Sequence, residues 1–283
     1  MLRKKSKSHC YIVTVIVVLL VIWTAWSNTT VGITHYTVAS DRLPASFDHY
    51  SIVVVSDLHN AEFGENNSQL IKLIEKEKPD IIVITGDLVD SNKTNIDIAQ
   101  KLVGTLTGIA PCYYVTGNHE AWLGEQYQEL ESILLDEGVA ILHDRAVQLI
   151  KNTESIQLAG LDDPDFTDRA PLQQSMIKTK INNMNLTDNY CVLLSHRPEA
   201  FEDYVSENID LVLSGHAHGG QFRLPIIGGI VAPNQGLFPK YDAGIYSENY
   251  TTMVVSRGIG NSIIPIRFNN RPEIISVELI CES

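Results

Sequence analysis

Five short apolar runs, each ending in polar residues, set the rhythm of the chain: Ile52–Val55, Ile81–Ile84, Tyr113–Val115, Cys191–Leu194 and Leu211–Leu213. Uninterrupted runs of this length, rich in β-branched residues, predict strands buried on both faces. Between them the apolar spacing changes to that of helices. Ser68–Lys78 places Leu70, Ile71, Leu73 and Ile74 on one side, with Ser68 as N-cap and Pro79 as the stop. Asn95–Leu106 reads as a helix, and so does Glu125–Glu137, which aligns Tyr127, Leu130, Ile133 and Leu134 and ends at Gly138. Pro171–Ile181 and Pro198–Val205 are shorter helices; Val139–Leu142, Ala146–Ile150 and Ser155–Ala159 are short strands. From Gly228 onward the pattern is β-rich, with strands predicted at Met253–Ser256, Ile264–Phe268 and Ile274–Ile280. Strands alternating with helices give an α/β fold, and the tail suggests a second, partly antiparallel sheet.

The N-terminus has a different pattern. Residues 1–9 form a basic tail, and residues 10–26 carry no charge and end in Trp23 and Trp26. Seventeen residues is at the short end of the roughly 17–25 that span a bilayer as a helix. The preceding Arg3, Lys4, Lys5 and Lys7 predict a cytoplasmic N-terminus, and the tryptophans suit the opposite interface. A cleaved signal peptide shares this layout, but no small-residue cleavage site follows, which favours an uncleaved single-pass anchor. Residues 27–47 read as a polar spacer holding at most a short strand, and 48–283 as one catalytic-sized domain outside the cytoplasm.

Composition narrows the class. The 283 residues carry a net charge of −13, and setting aside the four basic residues of the first seven positions takes the body to −17. So acidic a body excludes broad nucleic-acid binding, and it accommodates an anionic substrate only where cations supply local positive charge. Cys10, Cys112, Cys191 and Cys281 are too scattered for a disulfide framework.

The candidate chemistry lies where the buried strands end. The five runs pass into Asp57 and His59, Gly86-Asp87, Gly117-Asn118-His119-Glu120, His196, and Gly215-His216-Ala217-His218. Ligands of open α/β sheets gather beyond the strands' carboxyl ends, so these residues are expected along one edge of one sheet. His216 and His218, two apart in extended chain, aim at a common point. Carboxylate, amide oxygen and imidazole suit Mn²⁺, Fe²⁺ or Zn²⁺, and without thiolates a Cys-type structural zinc site is excluded. The set exceeds what one ion needs and fits two, sharing a carboxylate.

In this order and spacing the blocks resemble those of calcineurin-like metallophosphoesterases, most closely bacterial membrane-anchored or exported members. Gly219-Gly220-Gln221, Leu224-Pro225, Val255-Ser256-Arg257-Gly258 and Pro272-Glu273-Ile274 share that look. The resemblance implies an αββα sandwich of two packed mixed sheets flanked by helices. It also implies two divalent ions, Mn²⁺ in first place with Zn²⁺ or Fe as alternatives. Asp57, His59 and His218 would hold one and Asn118, His196 and His216 the other, with Asp87 between them. A hydroxide bridging the metals would attack phosphorus, His119 would protonate the leaving oxygen, and Asp90 would orient His119. The Ser/Thr phosphatase branch has an arginine after that acid, where this chain has Ser91, so diesters or pyrophosphate links are expected rather than phosphoproteins. Arg197 and Arg257 are weaker candidates for phosphate contact. With the anchor in place, a lipid- or envelope-linked phosphoester at the cell membrane is the expected substrate. The competing reading is a catalytically silent, metal-stabilised binding module on the cell surface.

Overall fold

A computed structural model of the chain describes residues 2–167, 174–261 and 263–282. Helix α1 (Leu2–Thr29) is followed by β1 (Gly32–Ser40), β2 (Tyr50–Val55), α2 (Ser68–Glu77), β3 (Ile81–Thr85), α3 (Ile96–Leu106), β4 (Cys112–Val115), α4 (Asn118–Trp122), α5 (Gln126–Asp136) and β5 (Ala140–Ile141). Next come β6 (Arg145–Lys151), β7 (Glu154–Gly160), α6 (Gln174–Asn183), β8 (Cys191–Leu194), α7 (Phe201–Ser206) and β9 (Leu211–Ser214). Two small hairpins follow: β10 (Arg223–Leu224) with β11 (Gly228–Gly229), and β12 (Val231–Ala232) with β13 (Gly236–Leu237). The chain continues through β14 (Gly244–Glu248) and β15 (Thr251–Val255) to β16 (Glu273–Cys281).

The strands form two six-stranded mixed sheets, ordered β1-β16-β2-β3-β4-β5 and β14-β15-β9-β8-β7-β6. Alternation along each strand divides the core into three layers. In β2, Ile52 and Val54 face the second sheet's Leu158, Val192, Leu194, Leu211 and Leu213. Val53 and Val55 point the other way, onto Leu70, Ile74, Leu102 and Leu130 of the helices. On the far face of the second sheet, Leu193, Val212 and Met253 pack under Ile177, Phe201 and Tyr204. The result is the expected αββα sandwich. Cys112, Cys191 and Cys281 are free thiols.

Two expectations change. The stretch read as a spacer holds β1, a nine-residue strand paired in parallel with β16. It is an edge strand, largely half-exposed, so its apolar signal is diluted. Ile264–Phe268 makes no strand; Pro265 interrupts it and a single bridge joins Phe268 to Phe222. Pro171–Gln173, the start of a predicted helix, lies outside the described residues, and α6 follows it. Within α1, Tyr11–Thr29 is long and apolar enough to cross a membrane, and its side chains are almost all exposed.

Candidate dimetal centre

The strand ends meet, though not along one edge of one sheet. β2, β3 and β4 run parallel in the first sheet and deliver Asp57, His59, Asp87 and Asn118. β8 and β9 run parallel in the second and deliver His196, His216 and His218. The site therefore lies at the seam between the sheets.

Backbone conformation aims these side chains. Asp57, His59, Asp87, His216 and His218 all have left-handed backbone, with φ of 51°, 44°, 54°, 66° and 47°. Non-glycine residues there cost roughly 1–2 kcal/mol apiece, and such concentrations mark functional sites. Glycine is required where the turns touch: a Cβ on Gly215 would strike Ser56 Oγ and Asp57 Oδ2. The loops are also bonded together. Asp57 N–H donates to Gly86 O (3.1 Å), His59 N–H to Asp87 O (3.0 Å), and His216 N–H crosses the seam to Asp57 Oδ1 (3.0 Å). Glu120, buried on α4, accepts from the backbone N–H groups of Asp87 (2.8 Å), Gly117 (2.7 Å) and Val89 (3.3 Å).

Two donor clusters share Asp87. In the first, His59 Nε2 is 3.2 Å from His218 Nε2 and 3.4 Å from Asp87 Oδ2, and His218 Nε2 is 3.5 Å from Asp57 Oδ1. In the second, His196 Nε2 is 3.2 Å from Asp87 Oδ2 and 3.1 Å from His216 Nδ1. Donors held about 2.1 Å from one cation sit about 3.0–3.4 Å from each other, which matches these separations. Asn118 Oδ1 is buried without a hydrogen-bond partner, an orphaned acceptor that a cation would satisfy. His196 Nδ1 lies 2.7 Å from Thr85 O, which can only accept, so Nδ1 carries the proton and the Nε2 lone pair faces Asp87. A proton or a cation must lie between the two. The donor set fits two divalent ions.

Titration behaviour agrees. Burial holds His59 and His218 down to about 3 and drives His216 well below its usual range, leaving them neutral, as ligands must be. Burial also acts to lower His196, but the Asp87 carboxylate outweighs it and pushes the imidazole up to about 10. For Asp87, burial works upward and His196 more than offsets it, leaving the carboxyl well below the carboxylate range. Burial, with Asp87 nearby, raises Glu120 to about 7.

His119 lies beside the first cluster, its ring centroid 4.5 Å from that of His59. Ser91 N–H donates to His119 Nδ1 (3.1 Å), and Ser91 Oγ is 3.1 Å from the same atom. A backbone N–H can only donate, so the neutral ring carries its proton on Nε2. Asp90 stands 3.9 Å from His59 Nδ1, within 4.8 Å of a His119 nitrogen, and also accepts from Asn92 N–H. Of the two arginines, Arg197 is clamped by Asp163 (2.5 and 2.7 Å) with Nη1 3.1 Å from His216 Nε2. Arg257 is bonded to Glu273 and Thr34 instead.

Sequence reasoning missed Arg267 and gave Glu120 no role. Arg267 is wholly buried; its Nη2 is 3.3 Å from His218 Nδ1 and donates to Gly260 O, while Nη1 donates to Arg257 O. A lone arginine inside the apolar run Ile263–Phe268 was the available signal.

Residues 50–220 match the model of the calcineurin-like phosphoesterase family. The chain is 31% identical over 255 residues to the uncharacterized metallophosphoesterase YkuE of Bacillus subtilis, covering 85% of this chain and 82% of that one. It is 29% identical over 235 residues to the phosphodiesterase YaeI of Escherichia coli, covering 82% of each. A transmembrane protein with metallophosphoesterase domain from Danio rerio is 31% identical over 248 residues, which cover 84% of this chain and 55% of that protein. Among solved structures, TT1561 of Thermus thermophilus superposes with a TM-score of 0.50 at 15% identity, over 74% of this chain and 89% of that one, and so shares its fold. With the ordered strand-end blocks, the paired clusters and the matched span in agreement, the chain belongs to the calcineurin-like phosphoesterase family.

Proposed function

We propose that the protein is a dimetal-dependent phosphoester hydrolase of the phosphodiesterase or pyrophosphatase type, tethered by α1 with its site on the extracytoplasmic side. The observation that carries this reading is Asp87 lying within ligand distance of both clusters. Asp57, His59, Asp87 and His218 would hold one ion; Asp87, Asn118, His196 and His216 the other, with Mn²⁺ the proposed metal. When bound, the ions supply positive charge to polarise a phosphoryl oxygen and activate water. The chain itself provides proton delivery. His119, with its proton on Nε2 and its Nδ1 held by Ser91 N–H, would protonate the leaving oxygen, with the Asp90 carboxylate standing nearby. The basic residues Arg3, Lys4, Lys5 and Lys7 at the start of α1 support a cytoplasmic N-terminus.

The test is hydrolysis of bis(p-nitrophenyl) phosphate by the full-length protein in detergent, stripped with chelator and reloaded with Mn²⁺. Activity is expected to vanish on stripping and return on reloading. Hydrolysis undiminished by chelation would refute the reading, and folded, ion-loaded protein inert towards a wide ester panel would identify a binding module instead.

A further inference from the structure

The topology fixes where α1 meets the catalytic domain. β16 runs antiparallel to β2, with Ile275 opposite Val54, so β16 begins at the pole where β2 ends in Asp57 and His59. β1 is parallel to β16, with Gly32 opposite Glu273, so it begins at that pole too. The end of α1 and the metal-ligand turns therefore share one pole of the sandwich.

The junction is bonded on both sides. Asn28 on the last turn of α1 donates to Arg267 O (2.8 Å) and accepts from Arg267 N–H (2.8 Å), and Arg271 stacks 4.7 Å over Trp26. The same segment carries the first small hairpin. Arg223 N–H donates to Phe268 O (3.0 Å), and Gln221 donates to Ile264 O and Ile266 O (both 2.8 Å). Around this junction stand large apolar side chains exposed to solvent. Ile226 is fully exposed at the tip of the first hairpin, beside Ile227. Leu237 and Phe238 close the second hairpin, and Ile263 and Ile266 flank Pro265. Ile226 and Phe238 hold this exposure with left-handed backbone, φ of 73° and 56°, which is rare for bulky residues and for a β-branched one an outlier. Charge changes in the same place. Residues 222–272 contain five basic and two acidic residues; Arg267 is buried and Arg223 and Arg257 are paired with Asp242 and Glu273, which leaves Lys240 and Arg271 as the cations at the surface of this face. One of the two acids, Glu248, lies at the opposite pole, at the end of β14 and paired with Thr251 at the start of β15, which runs parallel to β9.

We propose that this face docks on an anionic bilayer, the tip of the first hairpin, the Leu237-Phe238 end of the second and the Ile263–Ile266 strap entering the headgroup layer so that the dimetal centre opens onto the membrane surface. The inference rests on reading α1 as membrane-embedded, and it narrows the substrate to a phosphoester carried by a lipid. Apolar tips beside basic residues are the composition of an interfacial element, and continuity with the end of α1 brings them to headgroup level.

The experiment uses the full-length protein, with Cys10 and Cys281 replaced by serine, in bilayers containing phosphatidylglycerol. Environment-sensitive fluorophores are placed at Ile226→Cys, Phe238→Cys or Ile263→Cys, with Val17→Cys reporting the helix and Ile150→Cys, at the opposite pole, as reference. Doxyl-lipid quenching at the three face positions at least threefold above Ile150 is expected. Quenching equal to Ile150 with Val17 strongly quenched overturns the docking face while leaving the anchor intact, and an unquenched Val17 overturns both. Disulfide dimers formed through Ile226→Cys would assign the face to a second copy and overturn it. In parallel, Ile226→Asp with Phe238→Asp is expected to lower hydrolysis of phosphatidyl-p-nitrophenol in the bilayer tenfold or more and leave bis(p-nitrophenyl) phosphate untouched. An equal loss on both substrates overturns the docking role. Wild type inert on both esters sinks the hydrolase reading, while quenching still decides the docking.

Discussion

Asp57, His59, Asp87 and Asn118 stand on the first sheet, and His196, His216 and His218 on the second. The two contributions are built differently. The first carries both carboxylates, and the N–H groups around them are taken by neighbouring loops and by Glu120. The second supplies imidazoles alone, with a buried arginine behind each end of its turn: Arg197 at His216 and Arg267 at His218. Each cluster draws on both sheets, so a bound ion would join them. The first sheet thus supplies the charge that attracts cations, and the second supplies imidazole donors, two of which, His216 and His218, are oriented by adjoining buried guanidinium groups.

The largest effect should come from the residue both clusters share. Asp87→Asn is expected to lower turnover of a phosphodiester about a thousandfold, roughly 4 kcal/mol in transition-state terms, and to reduce bound Mn²⁺ from two ions, counted by elemental analysis. Retention of both ions would break the assignment of Asp87 as the common ligand.

Next, the arginines should separate the clusters. Arg267→Met is expected to weaken the ion held by His218, and Arg197→Met the ion held by His216, each by about 10–100-fold, the usual scale for groups that orient a ligand. A two-step Mn²⁺ titration by calorimetry reads this directly, and identical losses at both steps in both variants would erase the distinction. Arg267→Met should also lower the melting temperature, because the carbonyls of Gly260 and Arg257 lose their donor at about 1–3 kcal/mol each.

The smallest effect is in the metal-stripped protein. His196 has a folded-state pKa of about 10, above its ordinary 6.5, so its stabilisation is complete below about 6.5 and lost as pH rises through 10. Asp87 is displaced downward, so its share is present above the ordinary carboxylate range and is lost only on acidification. The stripped protein should therefore melt at progressively lower temperature from pH 6.5 to 10. Mn²⁺-loaded protein, with the His196 proton displaced, should stay flat over that range; parallel curves would show that ions do not replace this proton.

Much of this was legible from the chain. Continuous apolar runs such as Ile81–Ile84 identify buried strands without long-range knowledge, and the polar residues just past them carry the ligand types. What stayed hidden depends on contacts distant in sequence. β1 lacks a continuous apolar run because it is a half-exposed edge strand, and its partner lies at the far end of the chain. The seam between two sheets, in place of one sheet edge, follows from packing that no run of residues encodes locally. Arg267 was obscured because Ile263–Phe268 has the apolar content of a strand, although Pro265 and the clasp to Asn28 hold it as an irregular strap.

The insertion of β16 between β1 and β2 has a consequence for biogenesis. When β1 and β2 have been synthesised, the place between them stays empty until all the other strands have followed. Gly258, in the loop leading to β16, packs so tightly on Asp57 that an added Cβ would lie 2.7 Å from that residue's own Cβ. The end of β2 is thus walled in only once that late segment arrives. Pairings this remote in sequence form slowly. A nascent chain that still lacks β16 would hold Asp57 and His59 in an unfinished sheet, and the centre would mature as the last step of folding.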